Sequence, residues 1–355
     1  MSASPASKKK SRKDPLSKGR ITAFAVAFAA AFLLPVLLSG LVFVTGWDLT
    51  DLLNAGGAAD RQPLRAKALV LCSDEMARLE VQEQKEYEEE RLVKEAEEAA
   101  KDPCQEILKD LPAAADGVVY LGGYKPSKAV QDALDACIAG TKNRGRSAGF
   151  VMLDLSTGMG AAYNTAEEFY GASSLKIHRV LAVAETDPKL LKNNRWRVRA
   201  ILVESDNATY EWLYDTYGNK VLDQYASVAG AKLRFSRGRQ YAYYDVAAFA
   251  RLWKHAYDLM QENPACEEAG ALAEKPYYSS IHRLLKGQYT TRSKAGWIYE
   301  GGIRAAADGG IVYDRESPYL IVIMSDYASD LTLLDPYVKA LEEAHQDIKR
   351  AGQPK

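Results

Sequence analysis

The chain has 355 residues and a formal net charge of −1, enough for one sizeable domain with appendages or for two small domains. The charge is segregated: residues 8–20 carry seven bases against the single acid Asp14, and residues 74–102 carry twelve acids against five bases. No basic face interleaved with aromatics occurs in the globular part, which argues against a nucleic-acid partner. Four cysteines, Cys72, Cys104, Cys137 and Cys266, without Cys-x-x-Cys spacing or paired histidines, argue against a zinc site.

Residues 1–20 are rich in Ser, Lys and Pro and lack apolar periodicity, the pattern of a disordered basic tail. Residues 21–44 contain no charge. As a helix this stretch is roughly 36 Å long, enough to cross a hydrocarbon core with some tilt. Pro35 would kink it, as transmembrane helices tolerate, and Trp47 stands where an interfacial aromatic belongs. The rival reading is a cleaved signal peptide, whose apolar core is normally shorter. An uncleaved single-pass anchor is therefore expected, with the basic tail cytoplasmic and all that follows Trp47 outside. In an oxidising compartment the four cysteines could form two disulfides, and buried free thiols are the alternative.

Residues 45–102 read as a short linker with Gly56-Gly57, followed from Leu64 by a charged helix. Leu69, Cys72, Met76 and Leu79 keep a 3-4-3 spacing that Glu83 and Glu90 then break. A sustained coiled-coil seam is absent, so a solvated stalk is the expectation, with self-association through it left open. The globular domain spans residues 103–355. In it, residues 126–140 read as an amphipathic helix with Val130, Leu134, Cys137 and Ile138 on one face and Gly140 as its stop. Residues 149–155 and 159–163 read as two strands around a turn. Residues 289–299, 307–313 and 319–324 read as further strands, and a last helix begins with Asp335 as cap and Pro336 at its first position. Strands at both ends with helices between them make one α+β domain whose sheet mixes early and late strands.

Three motifs carry the chemistry: Ser173-x-x-Lys176 at a helix start, Ser205-Asp206-Asn207 between two helices, and Lys294-Ala295-Gly296 on a strand. A lysine three residues after a serine on a helix shares its face and can take the proton of an otherwise weak nucleophile. Taken singly, each has a plain structural reading: a helix cap, a turn, a strand end. Their order and contexts together resemble the penicillin-binding protein and class A β-lactamase superfamily of serine acyltransferases, over about residues 127–350. Gly171-Ala172, Trp297 and the run from Asp308 to Tyr313 add to the resemblance.

The resemblance implies a three-layer α/β/α domain. It makes Ser173 the nucleophile of an acyl-enzyme, Lys176 and Ser205 its proton relay, and Lys294 the source of positive potential for a substrate carboxylate. Asn207 would bind a substrate amide, Gly296 and Trp297 would line the substrate site with it, and the backbone N–H groups of Ser173 and Trp297 would form the oxyanion hole. The implied substrate is a peptidoglycan peptide or a β-lactam, and no cofactor or metal is called for. Three features depart from the family. Ala295 stands where the family has Thr or Ser. The first two motifs begin only 32 residues apart, at 173 and 205, so the helical subdomain is expected to be trimmed. Residues 228–245 contain no glutamate to activate a deacylating water, which leaves Glu204 as a candidate base. The alternatives are a catalytically quiet domain that binds cell-wall peptide or an envelope partner, and a true β-lactamase with another base.

Overall fold

The computed structural model describes residues 102–352 except 115 and 236–239, together with Arg78, Val81, Gln82, Lys85, Tyr87, Glu88, Glu89 and Arg91. These earlier positions are helical and exposed. Residues 21–44, the expected membrane span, lie outside the described residues, as do the basic tail, the linker and Cys72; among the described residues no helix is long and apolar enough to cross a membrane. Residues 1–98 and 99–355 form separate units, and the account that follows concerns the second.

Asp102 accepts from the Cys104 N–H at 2.8 Å and so caps α1 (Pro103–Lys109), with proline in the first turn where no N–H is needed. After β1 (Val119–Leu121), Ser127 caps α2 (Lys128–Asn143), which buries Val130, Leu134 and Ile138. The helix does not stop at Gly140. It continues because Thr141 is buried, its hydroxyl 2.5 Å from that of Tyr327 and 2.7 Å from that of Tyr337, and it leaves through Gly145 at φ +63°.

The two strands expected around a turn form the hairpin β2 (Ala148–Asp154) and β3 (Gly160–Tyr163). The short β4 (Glu168–Tyr170) leads into a 3₁₀ turn at Ala172–Leu175 and then α3 (Lys176–Thr186). Next come α4 (Lys189–Arg199), a π-helical turn at Ala200–Glu204, α5 (Asn207–Tyr217) and α6 (Lys220–Val228). β5 (Arg234–Phe235) and β6 (Ala242–Asp245) precede α7 (Val246–Glu262), α8 (Pro264–Leu272) and α9 (Ser280–Leu285). The chain ends with β7 (Thr290–Glu300), β8 (Ile303–Tyr313), β9 (Tyr319–Ser325), a 3₁₀ turn at Leu331–Leu334 and α10 (Asp335–Gly352). Asp335 is not the cap its sequence context predicts. Asp330 caps the preceding turn through the Thr332 N–H, and Asp335, already helical, pairs with Arg283.

Six strands form an antiparallel sheet in the order β1-β3-β2-β9-β8-β7, and β4, β6 and β5 form a second, small one. Early and late strands meet at the centre, with Val151 opposite Val322. Phe150, Met152, Ile321 and Ile323 face α2 and α10, whose Val338, Leu341, Ala344 and Ile348 join that cluster. Val151, Leu153, Leu320, Val322 and Met324 face the other way, into a core with Val180 of α3 and Phe249 and Trp253 of α7. Both faces are covered, so the central strands are apolar along their whole length and not merely alternating. β7 is the edge strand on the side where the small sheet and the 3₁₀ turn before α3 lie, and that edge carries the chemistry.

Candidate active site

Ser173 sits in the 3₁₀ turn, one residue after Ala172, whose φ of +46° is in the left-handed region. A non-glycine residue held there stores roughly 1–2 kcal/mol. The turn is fixed by Ser174, whose hydroxyl donates to the Gly171 carbonyl at 2.6 Å and lies 2.7 Å from the Tyr244 hydroxyl. Ser173 is half-buried and caps neither the turn nor α3. The helix proper begins only at Lys176, so the serine stands before it on a tighter turn than the sequence pattern predicts.

Lys176 is fully buried, and its ammonium donates to the Ser205 carbonyl at 2.6 Å, the Asp206 carbonyl at 3.2 Å and Asn207 Oδ1 at 2.7 Å. It lies 5.2 Å from the centre of the Tyr210 ring. Burial lowers its pKa to about 7, against an opposing pull from Asp206. Among the described residues no hydrogen bond joins it to Ser173. The first two motifs are therefore brought together by lysine-to-backbone contacts. The π-helical turn delivers them: it ends at Ser205, held at φ +60° and ψ +30°, the kind of local widening of a helix that recurs at functional sites. Asp206 keeps a structural part, accepting from the Thr209 hydroxyl at 2.6 Å and the Thr209 N–H at 2.7 Å to cap α5, and these hydrogen bonds lower its carboxyl.

Lys294, also buried, reaches across from β7 and donates to Ser205 Oγ and to the Ala295 carbonyl, both at 2.9 Å. Burial and the nearby charge of Lys176 lower it to about 7, while Asp308 pulls the other way. Asp308 lies buried on β8 opposite Ala295, accepting from Ser279 Oγ at 2.9 Å and the Ile281 N–H at 3.0 Å; burial raises its carboxyl to about 6. Gly296 packs on the Ser173 turn so closely that a Cβ would come within 2.4 Å of the Ser173 nitrogen. Ala295 is fully buried. Trp297 follows at the half-buried end of the strand, its ring 5.0 Å from that of Tyr278.

All seven candidate residues thus lie on the Ser173 turn, the start of α3, the Ser205–Asn207 segment and one stretch of β7. Glu204 does not join them: it pairs with Arg199 on the exposed side. His178 and His345 are fully buried, and burial lowers the His178 imidazole to about 3. The residue that sequence reasoning missed is Tyr241. Its hydroxyl donates to Asn207 Oδ1 at 3.1 Å; burial raises this phenol, and the nearby Ser173 hydroxyl opposes the rise. With Tyr170 and Tyr243 it forms an aromatic wall, ring centres 6.3 and 5.1 Å from Tyr170. The period-two spacing of Tyr241 and Tyr243 is the signal that could have placed them on one face. A separate cleft of about 660 Å³, lined by Tyr277, His282, Lys286 and Thr291 among others, holds none of the seven.

The model of the β-lactamase enzyme family matches residues 195–352, a span that includes Ser205, Asn207 and Lys294 but begins after Ser173 and Lys176. No curated protein sequence matches the chain. Among solved structures, a β-lactamase from Sphaerobacter thermophilus superposes with a TM-score of 0.51 at 16% identity, over 63% of this chain and 99% of that one. A β-lactamase from Chitinophaga pinensis gives 0.52 at 14% identity, over 64% and 100%. PBP-A gives 0.51 at 13% identity, over 64% and 98%, and a variant of it, described as an acyl-enzyme complex with penicillin G, is similar to the same degree. At these identities the superpositions speak for the fold, an α+β domain of the β-lactamase type. The domain thus has a fold of the β-lactamase type, and its residues 195–352 match the model of the β-lactamase enzyme family.

Proposed function

We propose that the protein is a membrane-anchored, extracytoplasmic serine hydrolase that acylates Ser173 with the carbonyl of a cell-wall peptide amide or a β-lactam. The observation that carries this reading is the pair of buried lysines meeting at Ser205 beside Ser173, each lowered to about 7. A lysine in that range can be neutral at working pH and accept a proton. In the proposed reaction Lys176 turns from Asn207 toward Ser173 and takes its proton, and Ser173 Oγ attacks the carbonyl carbon. The N–H groups of Ser173 and Trp297 hold the oxyanion. On collapse the amide nitrogen leaves, taking a proton that passes from Lys176 through the Ser205 hydroxyl. Lys294, when charged, attracts a substrate carboxylate.

The second reading, a quiet binding domain, is favoured by two observations: the Lys176 ammonium is bound to the Ser205–Asn207 segment, and Ala295 offers no hydroxyl. Intact mass of the full-length protein in detergent, mixed with a fluorescent penicillin, separates the two. A persistent adduct in the wild type that is lost in Ser173→Ala supports the acyl-enzyme and slow deacylation. Rapid penicillin loss confined to the wild type supports a β-lactamase. The same mass and the same penicillin in both proteins would sink acylation of a penicillin by Ser173. The N-terminal anchor is tested separately: the full chain should partition with membranes and a chain lacking residues 1–44 should not.

A further inference from the structure

Tyr241 stands in the stretch of residues 228–245 that has no glutamate, and what that stretch brings against Asn207 is a phenol. Its place is set from two sides. Arg179, fully buried on α3 one turn after Lys176, donates to the Gln240 carbonyl at 3.3 Å, and the Tyr210 hydroxyl meets the same carbonyl at 3.3 Å. The Tyr241 ring then stacks on Tyr210, centres 5.3 Å apart and planes 30° apart.

A phenol has one hydrogen to give. Tyr241 gives it to Asn207 Oδ1 at 3.1 Å, the oxygen that also accepts from Lys176 at 2.7 Å. Burial raises the Tyr241 phenol, and the nearby Ser173 hydroxyl pulls the other way. In the resting site Asn207 Oδ1 thus joins Tyr241 to Lys176.

We propose that Tyr241 is a positioning residue for the acyl-transfer site: its hydroxyl competes with Lys176 for Asn207 Oδ1, so that the lysine is bound loosely enough to move to the serine. The inference rests on the reading of Ser173 as nucleophile. Its sign is definite. The positive end of the phenol O–H points toward the lysine, and the shared oxygen can give less to the ammonium. Removing the hydroxyl strengthens the Lys176–Asn207 bond and favours the charged lysine. The other charged or polar groups facing Lys176 stay in place: Asp206 at the head of α5, the Tyr210 ring and Lys294 on β7.

The test is Tyr241→Phe in the full-length protein, with lysines labelled at Cε with carbon-13 and the Lys176 signal assigned by its loss in Lys176→Arg. The melting temperature of Tyr241→Phe serves as the folding control, since the ring is kept. The Lys176 titration midpoint should move upward by roughly half a unit to one unit, and the acidic limb of penicillin acylation should move with it. A midpoint that stays put in a folded Tyr241→Phe protein overturns the proposal, because a packing role alone would not move it. If neither protein forms an adduct, acyl transfer to penicillin fails while the titration still decides the place of Tyr241.

Discussion

Lys176 and Lys294 meet at one serine, and neither can be charged there without losing most of its hydration. Burial is the leading cause for both, and each settles near 7 in place of the usual 10.5. If neutral Lys176 takes the Ser173 proton, acylation must rise with pH until that lysine is deprotonated. The rate of adduct formation should therefore climb about tenfold per pH unit below about pH 7 and flatten above it; a rate unchanged from pH 5.5 to 8.5 would remove Lys176 as the base. The stability linkage has the same direction. Between about 7 and 10.5 the unfolded chain binds protons that the folded site does not, so these lysines make the fold more stable as pH rises through that window. At this scale the sequence was informative where chemistry dictates residue types at short spacing, as in Ser173 with Lys176 and Ser205 with Asn207. Tyr241 was illegible because its role depends on a stacking partner, Tyr210, and an arginine, Arg179, that only the folded chain brings near.

Among the elements, β7 and the Ser173 turn are the pair whose spacing matters most. A methyl at position 296 would meet the nitrogens of Ser173 and Ser174 at 2.4 Å and the Gly171 oxygen at 2.6 Å, all backbone atoms that cannot swing aside. Gly296→Ala should therefore push the strand from the turn, cutting acylation by about a hundredfold or more, with a smaller proportional loss of thermal stability. Parallel measurement of adduct formation and melting checks this; wild-type acylation in the variant would show that the contact is dispensable. The strand pairs themselves were legible as apolar runs between turn residues. Helix ends were less so. Gly140 predicts a stop that Thr141 overrides by burying its hydroxyl against two tyrosines, and Asp335 predicts a cap where the side chain instead pairs with Arg283. Tertiary contacts decide such ends, since the local preferences amount to about 1 kcal/mol. The small sheet escaped notice because its strands, two to four residues long, are too short to show a period.

For the molecule as a whole, Asp154 at the end of β2 is the buried tie between distant parts of the chain. It accepts from Ser317 at 2.6 Å, from His345 of α10 at 3.2 Å and from the Thr157 N–H at 2.9 Å. Burial alone would raise its carboxyl, but the hydrogen bonds from His345, Ser317 and Thr157 outweigh it and bring the pKa to about 2. A carboxyl lowered in the fold stabilises above its unfolded value near 3.8, and that contribution disappears as pH falls through about 2. Asp154→Asn should cost about 2–4 kcal/mol at pH 7, and the difference from wild type should shrink between pH 4 and 2. Denaturant unfolding across that range is the check; a constant difference would deny the carboxylate its part.

The sheet order carries a consequence for synthesis. β2 is complete by residue 154, yet the neighbour that seals its second edge, β9, is made only by residue 325. Until the ribosome has delivered that late strand, β2 and β3 are a hairpin with an open edge of unpaired backbone, the type of surface that recruits foreign strands. The Ser173 turn must likewise wait for β7. No nascent fragment can therefore hold a working site, and a chain that stops short of β9 presents aggregation-prone backbone where the finished protein has its centre.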